Sequence, residues 1–269
     1  MKRITASLVG LAIFLSLAPA ARASYITDIG YGTLQDQLGA ATPTGAGVRV
    51  AQGEAPINNP SGGSAPIFMP DPSYFDFVGK TITPVGGNSS GAFSDHANVV
   101  GSLFYGTTSS IAPGVTQIES FEANSWMNSL ATAFGSATTS PNRVTNHSWI
   151  GGSPTDTAVG TILRLVDRQV VLNEYIQIVG LTNGSGNSPL LGGSAFNVIS
   201  VGRTDGFHQQ GSVAVSGDTV YGAGRTVPTL VAPQGTTSAA TPVVAAAAAV
   251  LVQAGHDGGL TLSEGSTTI

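Results

Sequence analysis

Ser238 stands where a polar loop meets an alanine run, in APQGTTSAATPVVAAAAAVLVQAG, residues 232–255. Alanine is the strongest helix former, so residues 239–254 are expected as a helix. Small or apolar side chains all round it predict burial on every face. Pro242 lies near the first turn, where a missing N–H is tolerated, and Gly255 is expected to stop the helix. A serine at this joint has two readings. As an N-cap it accepts a helix N–H. As a nucleophile it sits beside N–H groups and partial positive charge that stabilise a developing oxyanion. The second reading needs a base, and a group that orients the base.

Four histidines are available: His96, His147, His208 and His256. His208 and His256 fall in turn-like sequence. His147 follows Asn146 in a strand-like run, where it is structural or lines a cleft. His96 opens an apolar-periodic run and is the best base by context, although a histidine near a helix start is often only a surface residue.

The elements that must position these groups alternate between two periods. Strands are expected over 47–51, 115–122, 143–150, 176–182 and 196–204, where β-branched and alternating residues dominate. Helices are expected over 96–105, 125–134 and 156–175. Residues 24–44 read as an irregular lead-in, 58–72 as loop, and the turn-rich end 256–269 as a loose tail. Strands alternating with helices favour an α/β fold with a parallel sheet. Gly45 and Gly47 precede a strand, whereas a dinucleotide fingerprint follows one, so they do not mark a nucleotide loop.

Composition bounds the compartment and the partners. Lys2 and Arg3, the apolar run 8–17 and the small residues Ala21–Ala23 form the three-part pattern of a secretory signal peptide, residues 1–23. The run is shorter than the ~20 residues a membrane span needs. The expected mature chain, 24–269, is thus one secreted domain with no stable membrane anchor. Removing Lys2, Arg3 and Arg22 from the 10 basic residues leaves 7 against 15 acidic ones, a net charge of −8. That balance disfavours nucleic acid. The chain has no cysteine, which excludes thiol catalysis and cysteine metal sites.

GTTSAATPVVAAAAAVL resembles the serine block of the subtilisin-like serine proteases, the subtilases, usually Gly-Thr-Ser-x-Ala-x-Pro before an alanine-rich helix. Thr237, Ala240 and Pro242 match, Ser238 takes the nucleophile position, and Thr236 replaces the glycine. The family carries acid, base and serine in that chain order. DHANVVGSLFYG, residues 95–106, resembles the histidine block and puts His96 at the base, with Ala97, Asn98 and Val99 in place of Gly, Thr and a second His. IAPGV, 111–115, and NVISVGRTDG, 197–206, resemble later blocks. GAGVRVAQGEAP, 45–56, resembles the strand that ends in the triad aspartate, but the position holds Glu54. Glutamate can hold a histidine tautomer, and Gly53 could allow the backbone adjustment that its extra methylene needs. Asp95 is a weaker acid, because neighbours on a helix do not face each other. Asp71 and Asp76 lie in an unmatched loop. IQIVGLTNGSGNS, 176–188, resembles the block that supplies an asparagine to the oxyanion hole. Asn183 is the choice, Asn187 the rival, and both could be turn residues.

The resemblance implies a three-layer α/β fold and a secreted serine endopeptidase acting on protein or peptide substrates, with Ser238, His96 and Glu54 as triad. It implies no organic cofactor. Calcium is common in the family, but no acidic cluster here identifies a site. Oligomeric state is not legible. Glu54, the missing second histidine and the short run after Gly255 leave room for a different class, a catalytically inactive binding or surface protein, and an esterase could use the same triad. The domain is expected to be C-terminally short.

Overall fold

In the computed structural model the described residues are 25–58, 66–85, 92–132, 140–151, 155–185, 193–222 and 224–259. The expected leader, Asn187 and residues 260–269 lie outside them. In chain order the elements begin with helices α1 (Tyr25–Asp28) and α2 (Tyr31–Leu38) and strand β1 (Arg49–Glu54). β2 (Thr81–Val85), α3 (Asp95–Tyr105), β3 (Gln117–Glu122), α4 (Ala123–Thr132) and β4 (Val144–His147) follow. Then come α5 (Asp156–Asn173), β5 (Ile176–Gly180) and β6 (Ile199–Arg203). The last are β7 (Gly211–Val213), β8 (Arg225–Val227), β9 (Leu230–Ala232) and α6 (Thr237–Asp257).

Seven strands form one sheet in the order β2-β3-β1-β4-β5-β6-β9, with every pairing parallel. β7 and β8 make a separate antiparallel pair. Side chains alternate across a strand, and the two faces carry two cores. Val50, Ile118, Val144, Ile178 and Val201 pack with α3 and α6 on one face. Trp126 of α4 and Leu163 and Val166 of α5 cluster with Val179 of β5 on the other. The α/β three-layer expectation holds.

The strand order reverses at β1. The chain leaves β1 for β2 and β3 on one side, then returns to β4 on the other. In open parallel sheets the crevice at the carboxyl ends of such a pair is where ligands bind. Glu54 ends β1, and Ser148 directly follows β4.

Several local expectations need correction. The lead-in 24–44 is not irregular: α1 and α2 form there, and Tyr31 is buried against the first core. The strand expected over 143–150 ends at His147. The alanine helix does not stop at Gly255 but runs to Asp257 and is closed by Gly258, whose N–H donates to the Ala254 carbonyl. Nor is it buried all round. Its first four turns are largely enclosed, whereas Leu251, at 51% exposure, and Ala254 face outward. Gly45 and Gly47 serve a tight turn before β1, with φ of 77° and 76°, a region that favours glycine. The side-chain carbonyl of Gln253, near the far end of α6, accepts the N–H groups of Thr44 (2.7 Å) and Ala46 (2.9 Å). The last helix is thereby tied to the entrance of the first strand.

Candidate active site

Residues 50, 52 and 54 of β1 share one face, the face on which α3 packs. Glu54 is buried, and its Oε2 lies 2.8 Å from His96 Nδ1 at the start of α3. Ser94 caps that helix by accepting the Ala97 N–H, and so sets the turn from which His96 projects. The His96 side chain remains about half exposed, at 48%. The carboxylate hydrogen bond raises its pKa above the ordinary value, against a smaller opposing effect of burial.

The serine does not cap its helix. Thr236 is the N-cap, and its Oγ1 accepts the Ala239 N–H at 3.2 Å. Ser238 is the second helical residue. The first four N–H groups of a helix, here those of Thr236, Thr237, Ser238 and Ala239, have no intrahelical partner of their own, and two of them are taken. Thr237 N–H donates to Asn183 Oδ1 at 2.8 Å. Ala239 N–H goes to Thr236 Oγ1, and the regular helical bonds begin with Ala240 N–H to the Thr236 carbonyl at 3.0 Å. Among the described residues the Ser238 N–H has no acceptor, so it is a donor open to a ligand. Pro242 has no N–H, so the Ser238 carbonyl also lacks its usual i+4 donor.

The strand expected over 176–182 ends at Gly180, and Asn183 is the third residue after it. Its Oδ1 accepts from both Thr237 N and Thr237 Oγ1 (3.2 Å), which fixes the amide orientation and leaves Nδ2 as its donor. Glu54, His96, Asn183 and Ser238 all line one cavity of about 330 Å³, walled by Trp149 and Ile150 after β4. Ser238 Oγ lies 3.2 Å from Thr236 Oγ1. Among the described residues no hydrogen bond joins it to His96.

The rival groups lie elsewhere. Asp71 Oδ1 closes a turn on Ser73, and Asp76 Oδ1 holds Thr108 through its N–H and hydroxyl. Asp95 is exposed on the first turn of α3. His147 is wholly buried, with its ring 4.3 Å from that of Trp126, and it does not line the cleft. Desolvation drives its pKa down to about 3. His208 is buried behind Asn183, to which its backbone is bridged. No group of three or more His, Asp or Glu residues that could hold a metal ion occurs among the described residues.

No protein-family model and no curated protein sequence matches this chain. Solved structures match it in shape. The prenylagaramide maturation protease PagA aligns at 17% identity over 80% of this chain and 78% of its own, with a TM-score of 0.51. The self-cleaved protease domain of PatA aligns at 20% identity over 80% and 83%, with a TM-score of 0.51. A cold-adapted subtilisin-like serine proteinase aligns at 19% identity over 83% and 81%, with a TM-score of 0.50. The fold is subtilisin-like.

Within this subtilisin-like fold, three residues at the site escape sequence reading. Gln52 and Tyr105 lie behind Glu54, and Thr236 lies beside Ser238. Gln52 carried one signal, a buried-strand position two residues before an acid and therefore on its face. Thr236 carried another, a hydroxyl immediately before a helix. Tyr105 carried none, since its partner is 53 residues away.

Proposed function

We propose that this protein is a serine endopeptidase exported under the direction of residues 1–23. The observation that carries the proposal is the buried Glu54 carboxylate, 2.8 Å from His96 Nδ1, on the cavity that Ser238 and Asn183 also line. With Nδ1–H donated to Glu54, the imidazole presents Nε2 as a base. Ser238 Oγ attacks a peptide carbonyl as its proton passes to Nε2. The imidazolium, stabilised by Glu54, then returns the proton to the leaving amine. The oxyanion is met by the Ser238 N–H and Asn183 Nδ2. Water repeats the cycle to release the acyl group.

The 3.2 Å contact between Ser238 Oγ and Thr236 favours a second reading, an inactive fold that binds peptides without cutting them. Catalytic hydrogen bonds in ligand-free sites often tighten only when substrate is bound. A fluorophosphonate probe separates the two readings. Label mapped to Ser238 and lost in His96→Ala supports a working hydrolase, and turnover of casein against short esters tells protease from esterase. Folded protein that takes no label overturns the hydrolase reading and leaves the inactive fold.

A further inference from the structure

Glu54 has a second oxygen, and the protein has built a partner for it. Oε1 accepts from Gln52 Nε2 at 2.8 Å. The other Nε2 hydrogen goes to the carbonyl of Ala97, at 3.0 Å, the residue after His96. One planar amide thus bridges the acid's strand and the base's helix. Its Oε1 accepts from Tyr105 Oη at 2.6 Å, at the far end of the same helix. Gln52 and Tyr105 are wholly buried. A flipped amide would turn its oxygen towards a carboxylate and a carbonyl, both acceptors, so only one orientation is satisfied. Burial and the Glu54 charge push the Tyr105 hydroxyl pKa well up, so it remains a donor.

We propose that Gln52 and Tyr105 are positioning residues for the acid–base pair. Tyr105 orients the Gln52 amide, and the amide holds Glu54 and α3 in register, so that a glutamate serves where the resembling motif carries aspartate. A longer side chain has one more torsion to fix, and a hydrogen bond to the oxygen facing away from His96 fixes it. The proposal rests on the serine-hydrolase reading of the same site, but its test does not.

The test uses full-length protein carrying Ser238→Ala, with the His96 Nδ1 proton followed by NMR and assigned by its loss in His96→Gln. Tyr105→Phe removes one hydroxyl, and Gln52→Leu removes the amide. Each is expected to move the resonance upfield and speed its exchange with water. The double variant should match Gln52→Leu alone, because Tyr105 acts only through Gln52. With Ser238 restored, kcat should fall at unchanged KM, by up to about 100-fold for Gln52→Leu, the cost of a misplacement of about 1 Å. If Gln52→Leu does not fold, Tyr105→Phe alone decides. An unshifted resonance in folded Tyr105→Phe overturns the proposal. A resonance that responds in a protein with no turnover on any substrate upholds the positioning and removes the hydrolase reading instead.

Discussion

Asn183 Oδ1 takes two hydrogen bonds from one residue, Thr237, through its N–H at 2.8 Å and its hydroxyl at 3.2 Å. The side chain is therefore a lock on the start of α6 and, in the proposed mechanism, a donor to the oxyanion through Nδ2. Two substitutions separate these roles. Asn183→Asp keeps an acceptor for Thr237 and loses the donor. Asn183→Leu loses both. Asn183→Asp should unfold near the parent temperature with kcat lowered by about 10²–10³-fold, the usual cost of one oxyanion donor. Asn183→Leu should lose stability as well. Thermal unfolding and steady-state kinetics on the pair check this.

Thr236 both caps α6 and engages the serine hydroxyl. Loss of a cap to alanine costs about 1 kcal/mol, whereas glycine there costs only a few tenths. Thr236→Ala should therefore lower Tm by roughly 2–4 °C in a chain of this size, and Thr236→Gly by less. Both free Ser238 Oγ from its neighbour. Fluorophosphonate labelling should then be faster in Thr236→Gly than in the parent protein.

As the proposed base, His96 would set an alkaline requirement. Its folded pKa is raised by Glu54, and the base works only when neutral. The kcat/KM profile should rise through a pKa above about 6.5, the ordinary histidine value. The same shift stabilises the fold fully below that value, and the contribution is lost as pH rises through the folded pKa. Glu54→Gln should move the activity limb to lower pH and remove this stability change. Rate profiles and Tm across the same buffers test both signs.

His147 acts in the opposite sense. Its folded pKa is depressed to about 3 by burial. Stability is whole above the unfolded value and falls as acid forces a proton onto the unfolded chain first. Tm should decline as pH drops from about 6.5. His147→Gln should flatten that decline even if its Tm at neutral pH is lower.

Gly53 leaves room for this histidine. A Cβ at residue 53 would lie 2.7 Å from His147 Nδ1 and 3.2 Å from Trp149 Nε1. Gly53→Ala should cost about 1–3 kcal/mol, as overpacking does, and should lower kcat because Glu54 is the next residue. Denaturant midpoints with kinetics on the remaining folded protein measure both.

Legibility followed the range of the interactions. α6, α5, α3 and the inner strands were readable because each is specified by its own apolar pattern. β2 was not, since TITPV is an exposed edge strand with a proline in it. β7 and β8 are three residues each, too short for any period to show. α2 was missed because YGTLQDQL holds a glycine and few apolar residues. At the site, Ser238, His96, Glu54 and Asn183 were reached through ordered blocks, each local. Gln52 and Tyr105 meet only after β1 and α3 have packed, and no local pattern marks that meeting.

The tie between Gln253 and the Thr44–Ala46 turn has a consequence for synthesis. A ribosome makes the acid first, the base next and the serine last. The helix that carries the serine is also the one on which α3 packs and from which the entrance to β1 is held. Until residues 237–257 have emerged, the acid and the base lack both their nucleophile and the buttress behind them. On the proposed reading, the order of translation would therefore keep the unfinished chain inactive until its last helix has folded.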